Sequence, residues 1–271
     1  MLCPGRPFTA TAPLEPVGDV ETTRRYRHGV PVPQRRLVEN PDVLTVVCCR
    51  GDNSDAPSHD PFAALAAELA RRGLGISFVG RRPGKEIDPL LTGRVIVIGD
   101  DADLAAVVLR LVRKELLTSV TIGYLTPGPT PFTLLWGLPV AVDALATVAT
   151  DREREVTILR DDVGGVLVGS AELAPVDGTA YVDERRVLHG AVRRVRVRPN
   201  AESGLTLGVE QRRFLGLGHT WQEFEGRATS VGAAGMTVVS DGVEHRRPMD
   251  RWTYYRHQQP LRLLRPAPTE D

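Results

Sequence analysis

Cysteine, lysine, net charge and long apolar runs are all scarce in this chain. Its three cysteines, Cys3 and the adjacent Cys48 and Cys49, make neither a disulfide framework nor a zinc-ligand spacing, so a cytoplasmic location follows as the default. Lysine occurs only at Lys85 and Lys114; the dominance of arginine is a compositional bias without functional content. Formal net charge is zero, which removes any global steering toward nucleic acid or an acidic membrane surface. No apolar run approaches the ~18 residues needed to span a bilayer, and the first residues lack an apolar leader core. Any membrane contact is therefore expected to be peripheral. There are no internal repeats, and no low-complexity tract away from the termini.

What is present is ordinary globular material: 271 residues, 42% hydrophobic and 25% charged, enough for two domains of moderate size. Residues 1–40, rich in Pro, Gly, Thr and Arg without sustained periodicity, read as a poorly ordered or wrapping arm. Its basic stretch at residues 23–29 is either an anion contact or a solvated tail. Residues 41–150 read as an α/β domain. An apolar run at 43–49 predicts a first buried strand, and a polar loop follows it. A helix then starts with Asp60 as N-cap and Pro61 in the first turn, carries a stripe of Phe62, Leu65, Ala66 and Leu69, and ends at Gly73. Residues 76–79 predict a second strand. Its exit carries Arg81, Arg82 and Lys85, either a set of phosphate contacts or a solvated loop.

Residues 94–114 are the most informative segment. A continuous β-branched strand at 95–98 runs through Gly99-Asp100-Asp101-Ala102-Asp103 into an amphipathic helix striped by Leu104, Val107, Val108, Leu109 and Val112. Ligands of open α/β sheets bind at such carboxyl strand ends, and a helix amino terminus offers N–H groups to an anion. Three carboxylates at that turn argue against a bare phosphate cradle. Either a divalent cation bridges them to phosphates, or they cap the helix. A fourth strand near 120–124 gives a β-α-β, β-α-β order and hence a parallel sheet. The loop after it is stiffened by Pro127, Pro129 and Pro131, and residues 139–150 read as a further helix.

Residues 151–271 change character. Short strands at 156–159, 165–168, 192–197 and 236–239, separated by turn signals, predict an antiparallel β-sandwich. Asp241-Gly242 is a strong hairpin signal on its own. His219, His245 and His257 read as surface or core residues rather than ligands, Trp136 as core, and Cys48 and Cys49 as buried packing.

This order, a parallel α/β half followed by a β half, resembles the diacylglycerol kinase catalytic family, which shares its fold with NAD kinases and sphingosine kinases. The resemblance covers residues 43–266. Strand three and its turn stand where the family carries strand-GGDGT-helix, with Gly99 and Asp101 matching and Asp100, Ala102 and Asp103 departing. Phe132, Gly137, Leu138 and Pro139 fall in register with the next signature, whose Gly-Thr-Gly-Asn-Asp loop has become residues 127–131, Pro-Gly-Pro-Thr-Pro. Asp241 and Gly242 match the family's Leu-Asp-Gly-Glu, with Val243 at the Glu position. The first-strand signature Asn-Pro-x-Ser-Gly is replaced by Cys48-Cys49-Arg50-Gly51-Asp52.

The resemblance implies transfer of a phosphoryl group from ATP, with magnesium, to a lipid or small-molecule hydroxyl, in a cleft between the two halves. It implies Asp241 as general base, aided by Asp101. Gly99, Asp101, Gly128, Arg81 and Arg82 would contact nucleotide, and Asp101 and Asp103 would hold metal. The altered letters leave three outcomes: a kinase with reduced or lost activity, a non-catalytic ligand-binding or scaffold protein on the same fold, and an NAD kinase-like phosphotransferase. Exposed sheet edges would allow a homodimer across a two-fold.

Overall fold

The computed structural model describes residues 44–51, 60–147, 152–212 and 218–265. The arm predicted over residues 1–40, with Cys3, lies outside them, as does most of the polar loop after the first strand. The first strand is β1 (Leu44–Cys48) and the first helix is α1 (Pro61–Arg71). Asp60 caps that helix by accepting from Phe62 N at 3.0 Å, with Pro61 in the first turn. After β2 (Ile76–Phe78) comes a 3-10 turn, Lys85–Leu90, that no periodicity announces. Then follow β3 (Arg94–Ile98), α2 (Asp101–Arg113), β4 (Thr121–Leu125) and the short α3 (Pro131–Trp136). The helix predicted over 139–150 is instead a 3-10 turn, Ala141–Thr147. Ala141 enters it in left-handed backbone, φ 53, which an α-helix cannot continue through.

Side chains of β3 alternate between two cores, and this explains its unbroken apolar run. Val95 and Val97 pack with Leu104, Val107, Val108 and Leu111 of α2. Ile96 and Ile98 pack with Leu65, Ala66 and Leu69 of α1. Fully burying one such aliphatic side chain contributes about 1.5–3 kcal/mol. On α2 the buried stripe is 104, 107, 108 and 111; Leu109 and Val112 of the predicted stripe are only partly buried, because a helix turns its i, i+3, i+4 and i+7 positions to one side.

The β half supplies β5 (Glu153–Val156), β6 (Leu159–Asp161), β7 (Val166–Leu167), β8 (Ala171–Ala174), β9 (Val176–Val182), β10 (Arg185–Val192), β11 (Val195–Asn200), β12 (Gly204–Arg212), β13 (His219–Gly226), β14 (Ala228–Ser240), β15 (Val243–Glu244), β16 (Met249–Arg256) and β17 (Leu261–Leu264). Two of these return to the first sheet, whose order is β2-β1-β3-β4-β17-β5. β17 runs parallel to β4, and β5 runs antiparallel to β17. The strand predicted over 156–159 is thus two: Val156 closes β5 in the first sheet, and Leu159 opens β6 in the second. The strand predicted over 192–197 is likewise divided between the end of β10 and the start of β11.

The remaining strands form the predicted antiparallel sandwich. β14 serves both layers: residues 228–233 pair with β9 and β16, and residues 237–240 pair with β8. The crossing lies at a register shift between Gly232 and Met236, where Gly235 adopts φ 66. Leu173, Val197, Leu207, Val231, Trp252 and Tyr254 belong to the core between the layers. Ile158, Val166 and Val168 pack instead into the core of α2, and this holds the chain at residues 168–170 beside the amino end of that helix.

Candidate functional site

The turn from β3 into α2 is built around a buried carboxylate. Gly99 is required there, since a Cβ would lie 2.7 Å from that of Asp103. Asp100 is the N-cap, and its Oδ1 accepts from Asp103 N at 3.0 Å. Asp103 Oδ2 accepts in return from Asp100 N at 3.1 Å, completing a capping box. The Asp103 side chain is fully buried, and it also takes Arg50 Nη1 at 2.7 Å and Arg82 N at 2.7 Å. To aim its N–H at that carboxylate, Arg82 adopts left-handed backbone, φ 49. Burial raises the pKa of Asp103, opposed by the Arg82 and Asp100 N–H groups and the Arg50 charge. Asp100 Oδ2 pairs with Arg81, with Arg50 Nη2 at 3.7 Å. Arg50 in turn stacks over Phe62, 3.5 Å from the ring centroid.

Asp101, one residue on, faces the other way. Its Oδ1 accepts from Tyr124 OH at 2.9 Å, and its Oδ2 accepts from Phe132 N at 2.9 Å. Phe132 sits at the start of α3, which Thr130 and Thr133 cap reciprocally and where Pro131 occupies the first turn. Its ring meets Tyr124 edge-on at 5.4 Å. Burial raises the pKa of Asp101, and bonds from Thr130, Phe132 and Tyr124 oppose the rise. The proline-rich stretch of residues 127–131 therefore ends in a helix start that grips an aspartate.

Asp241 is both a turn residue and a wall of the site. It sits with Gly242 between β14 and β15 at φ 47 and φ 81, the two positive φ values that a two-residue hairpin turn demands. Ser240 and Val243 pair across it. The carboxylate turns inward, where Oδ2 accepts from Val168 N at 2.9 Å and Oδ1 from Gly169 N at 2.8 Å and Ser170 N at 3.1 Å. Burial pushes its pKa up to about 8, partly offset by those N–H groups and reinforced by the charge on Asp101. A Cβ on Gly169 would lie 2.7 Å from Asp101 Oδ2, 3.0 Å from Asp241 Oδ1 and 3.1 Å from Phe132 N. The two carboxylates are thus neighbours across one glycine.

A cleft of about 600 Å³ opens on this pair. It brings together Arg81, Arg82, Asp101 and Asp241 of the predicted site, with Asp100, Thr130 and Glu244 added. Gly99 and Asp103 support it from beneath, and Gly128 is not among the residues lining it. The expected metal pair does not converge: the Asp103 carboxylate is closed off by a guanidinium and two backbone N–H groups, while that of Asp101 is held by Tyr124 and Phe132. Among the described residues no group of three or more His, Cys, Asp or Glu side chains is placed to hold a metal ion. Magnesium therefore does not fit Asp101 and Asp103 as a pair.

Arg50, Tyr124, Thr130, Gly169 and Glu244 were not visible as site residues in the sequence. The one local signal was the helix start at Thr130-Pro131. Cys48 and Cys49 are buried free thiols as expected, and burial raises both pKa values. Trp136 is core. His245 bonds the Arg247 carbonyl, and His219 lies 3.8 Å from Glu210.

No family model matches the chain, and neither does any curated protein. Among solved structures it is similar to a diacylglycerol kinase from Bacillus anthracis str. Sterne, with a TM-score of 0.56 and 12% identity over 83% of this chain and 97% of that one. It is also similar, at a TM-score of 0.48 and 12% identity, to an NAD kinase from Archaeoglobus fulgidus in complex with ATP, over 83% of this chain and 94% of that one. The chain has the fold of the diacylglycerol kinase, a parallel α/β sheet followed by an antiparallel sandwich.

Proposed function

We propose that the chain is a diacylglycerol-kinase-like protein in which ATP-dependent phosphoryl transfer to a lipid or small-molecule hydroxyl is strongly reduced or lost, the cleft being kept for binding. The observation that carries this reading is the closed circuit at the start of α2. Asp100 and Asp103 occupy the turn that a phosphate would need, and they engage Arg50 and Arg81, two of the cations around that turn. Two unit charges of opposite sign 4 Å apart at an effective dielectric near 20 attract by about 4 kcal/mol, close to a thousandfold in affinity, and an arginine that turned to a phosphate would give up an attraction of that kind. For Arg50 it would also leave the buried Asp103 carboxylate unpaired.

One observation favours retained chemistry as the second reading. Asp241, its pKa pushed up to about 8 beside Asp101, keeps a minor ionised fraction at neutral pH, and that fraction is the base for a hydroxyl, a contribution of about 10² to 10⁴ in rate. In that reading ATP with magnesium supplies the phosphoryl group, and the chain supplies Arg81, Arg82 and Asp101 for positioning. An NAD kinase-like acceptor belongs to the same reading.

A phosphotransfer assay with labelled ATP and magnesium, offering diacylglycerol and NAD in parallel, separates the two. Our reading expects no turnover above that of Asp241→Asn with either acceptor. Turnover that Asp241→Asn abolishes while the fold persists would overturn it.

A further inference from the structure

Behind the Asp101–Asp241 wall lies a second cleft, of about 660 Å³, between α3 and the outer face of β8, β11 and β14. Pro131 and Gly242 line both clefts, so the two stand back to back. One side of the second is aliphatic: Leu134, 73% exposed, and Leu135 project from α3. The other side is an outward row of the sandwich, in which Val239, Glu172 and Arg196 stand side by side on three adjacent strands. Arg198 lies two residues further along β11.

The lining thus holds two arginines against one glutamate. Arg196 reaches Glu172 only at 3.8 Å and rests its guanidinium over Trp221, 4.6 Å from the ring centroid, so it is oriented without being neutralised. Arg198 Nη2 alone donates to both carboxylate oxygens of Glu223 at 2.9 Å, and both side chains are about half exposed. An exposed pair of this kind adds little net stability, so an incoming anion can replace Glu223 at small cost. Guanidinium groups take carboxylates through two parallel bonds, and the volume falls within the range of sites for small ligands.

We propose that this groove binds an anionic single-chain amphiphile, its carboxylate on Arg196 and Arg198 and its chain along Leu134, Leu135 and Val239. The site is independent of the nucleotide reading, because none of these residues bonds Asp101 or Asp241. The test is calorimetric titration of the full chain with dodecanoate below its micelle concentration, beside dodecyltrimethylammonium, which has the same tail and the opposite charge. Dodecanoate should bind one to one and roughly tenfold or more tighter than the cation, the scale of one lost charge-assisted contact. Leu134→Glu, at an exposed position, and the double change Arg196→Gln with Arg198→Gln should each weaken dodecanoate by a similar factor. If the double variant does not fold, Leu134→Glu decides alone. Equal binding of the two probes, wild-type affinity in Leu134→Glu, or no binding of dodecanoate would overturn the proposal.

Discussion

Two turns of this molecule bury an aspartate, and they satisfy it in opposite ways. At the start of α2, Asp103 faces a guanidinium and sits in a capping box, so its charge is cancelled where it lies. In the β14–β15 hairpin, Asp241 has three backbone N–H donors and a second carboxylate nearby. The first arrangement is electrically closed and serves the fold. The second is polar but uncompensated, and such groups keep a protonation state that the surroundings can move. A cleft that contains both can look like a kinase site by residue type while only one side of it stays responsive.

Removing a closed-side group should have the largest effect. Asp103→Ala removes the nearest carboxylate from the mostly buried Arg50 and strips the Arg82 and Asp100 N–H groups of an acceptor. We expect a loss of about 3–5 kcal/mol in chemical denaturation. A loss below about 1 kcal/mol would mean that the circuit is not structural, and the contrast drawn above would fail.

Next in size is the glycine between the two carboxylates. Gly169→Ala forces a methyl against Asp101, Asp241 and the Phe132 amide, an overpacking worth about 1–3 kcal/mol, readable as a drop in thermal midpoint. Gly128→Ala, whose Cβ would meet nothing within 4 Å, is the matched control and should fall well short of it.

The third effect is a slope with pH. A carboxyl whose folded pKa is raised to about 8 holds its proton in the native state while the unfolded chain releases it above about pH 4. Stability therefore declines as pH rises from there through about 8, since the unfolded state binds fewer protons across that window. Asp241→Asn should flatten that decline without removing it, because Asp101 and Asp103 are shifted the same way. A variant whose stability tracks wild type at every pH would show that Asp241 is fully ionised in the native state and that burial does not govern it.

How much of this was legible follows sequence distance. The Asp100–Asp103 cap spans three residues and was readable from its spacing, as were the Asp60 cap and the Asp241-Gly242 hairpin. The buried run of β3 announced a sheet covered on both faces. What makes the cleft, however, is contact across long separations: Arg50 to Asp103 spans 53 positions and Val168 to Asp241 spans 73. No local pattern marks Val168, Gly169 or Ser170 as donors, because any residue carries a backbone N–H. The return of β5 and β17 to the first sheet was hidden for a related reason, since a four-residue strand, charged in β5 and mostly apolar in β17, does not say which sheet receives it. The division near Thr157 was likewise invisible, as one β-branched run served two strands.

The central claim is that the start of α2 has been closed to phosphate by its own acids, and calorimetric titration with ATP and magnesium tests it most directly. Wild type should give no measurable micromolar binding, while Asp100→Gly, which removes the exposed acid and frees Arg81, should gain it. Magnesium-dependent micromolar binding by the wild-type protein, lost in Asp101→Ala, would contradict the account and identify a rewired nucleotide site.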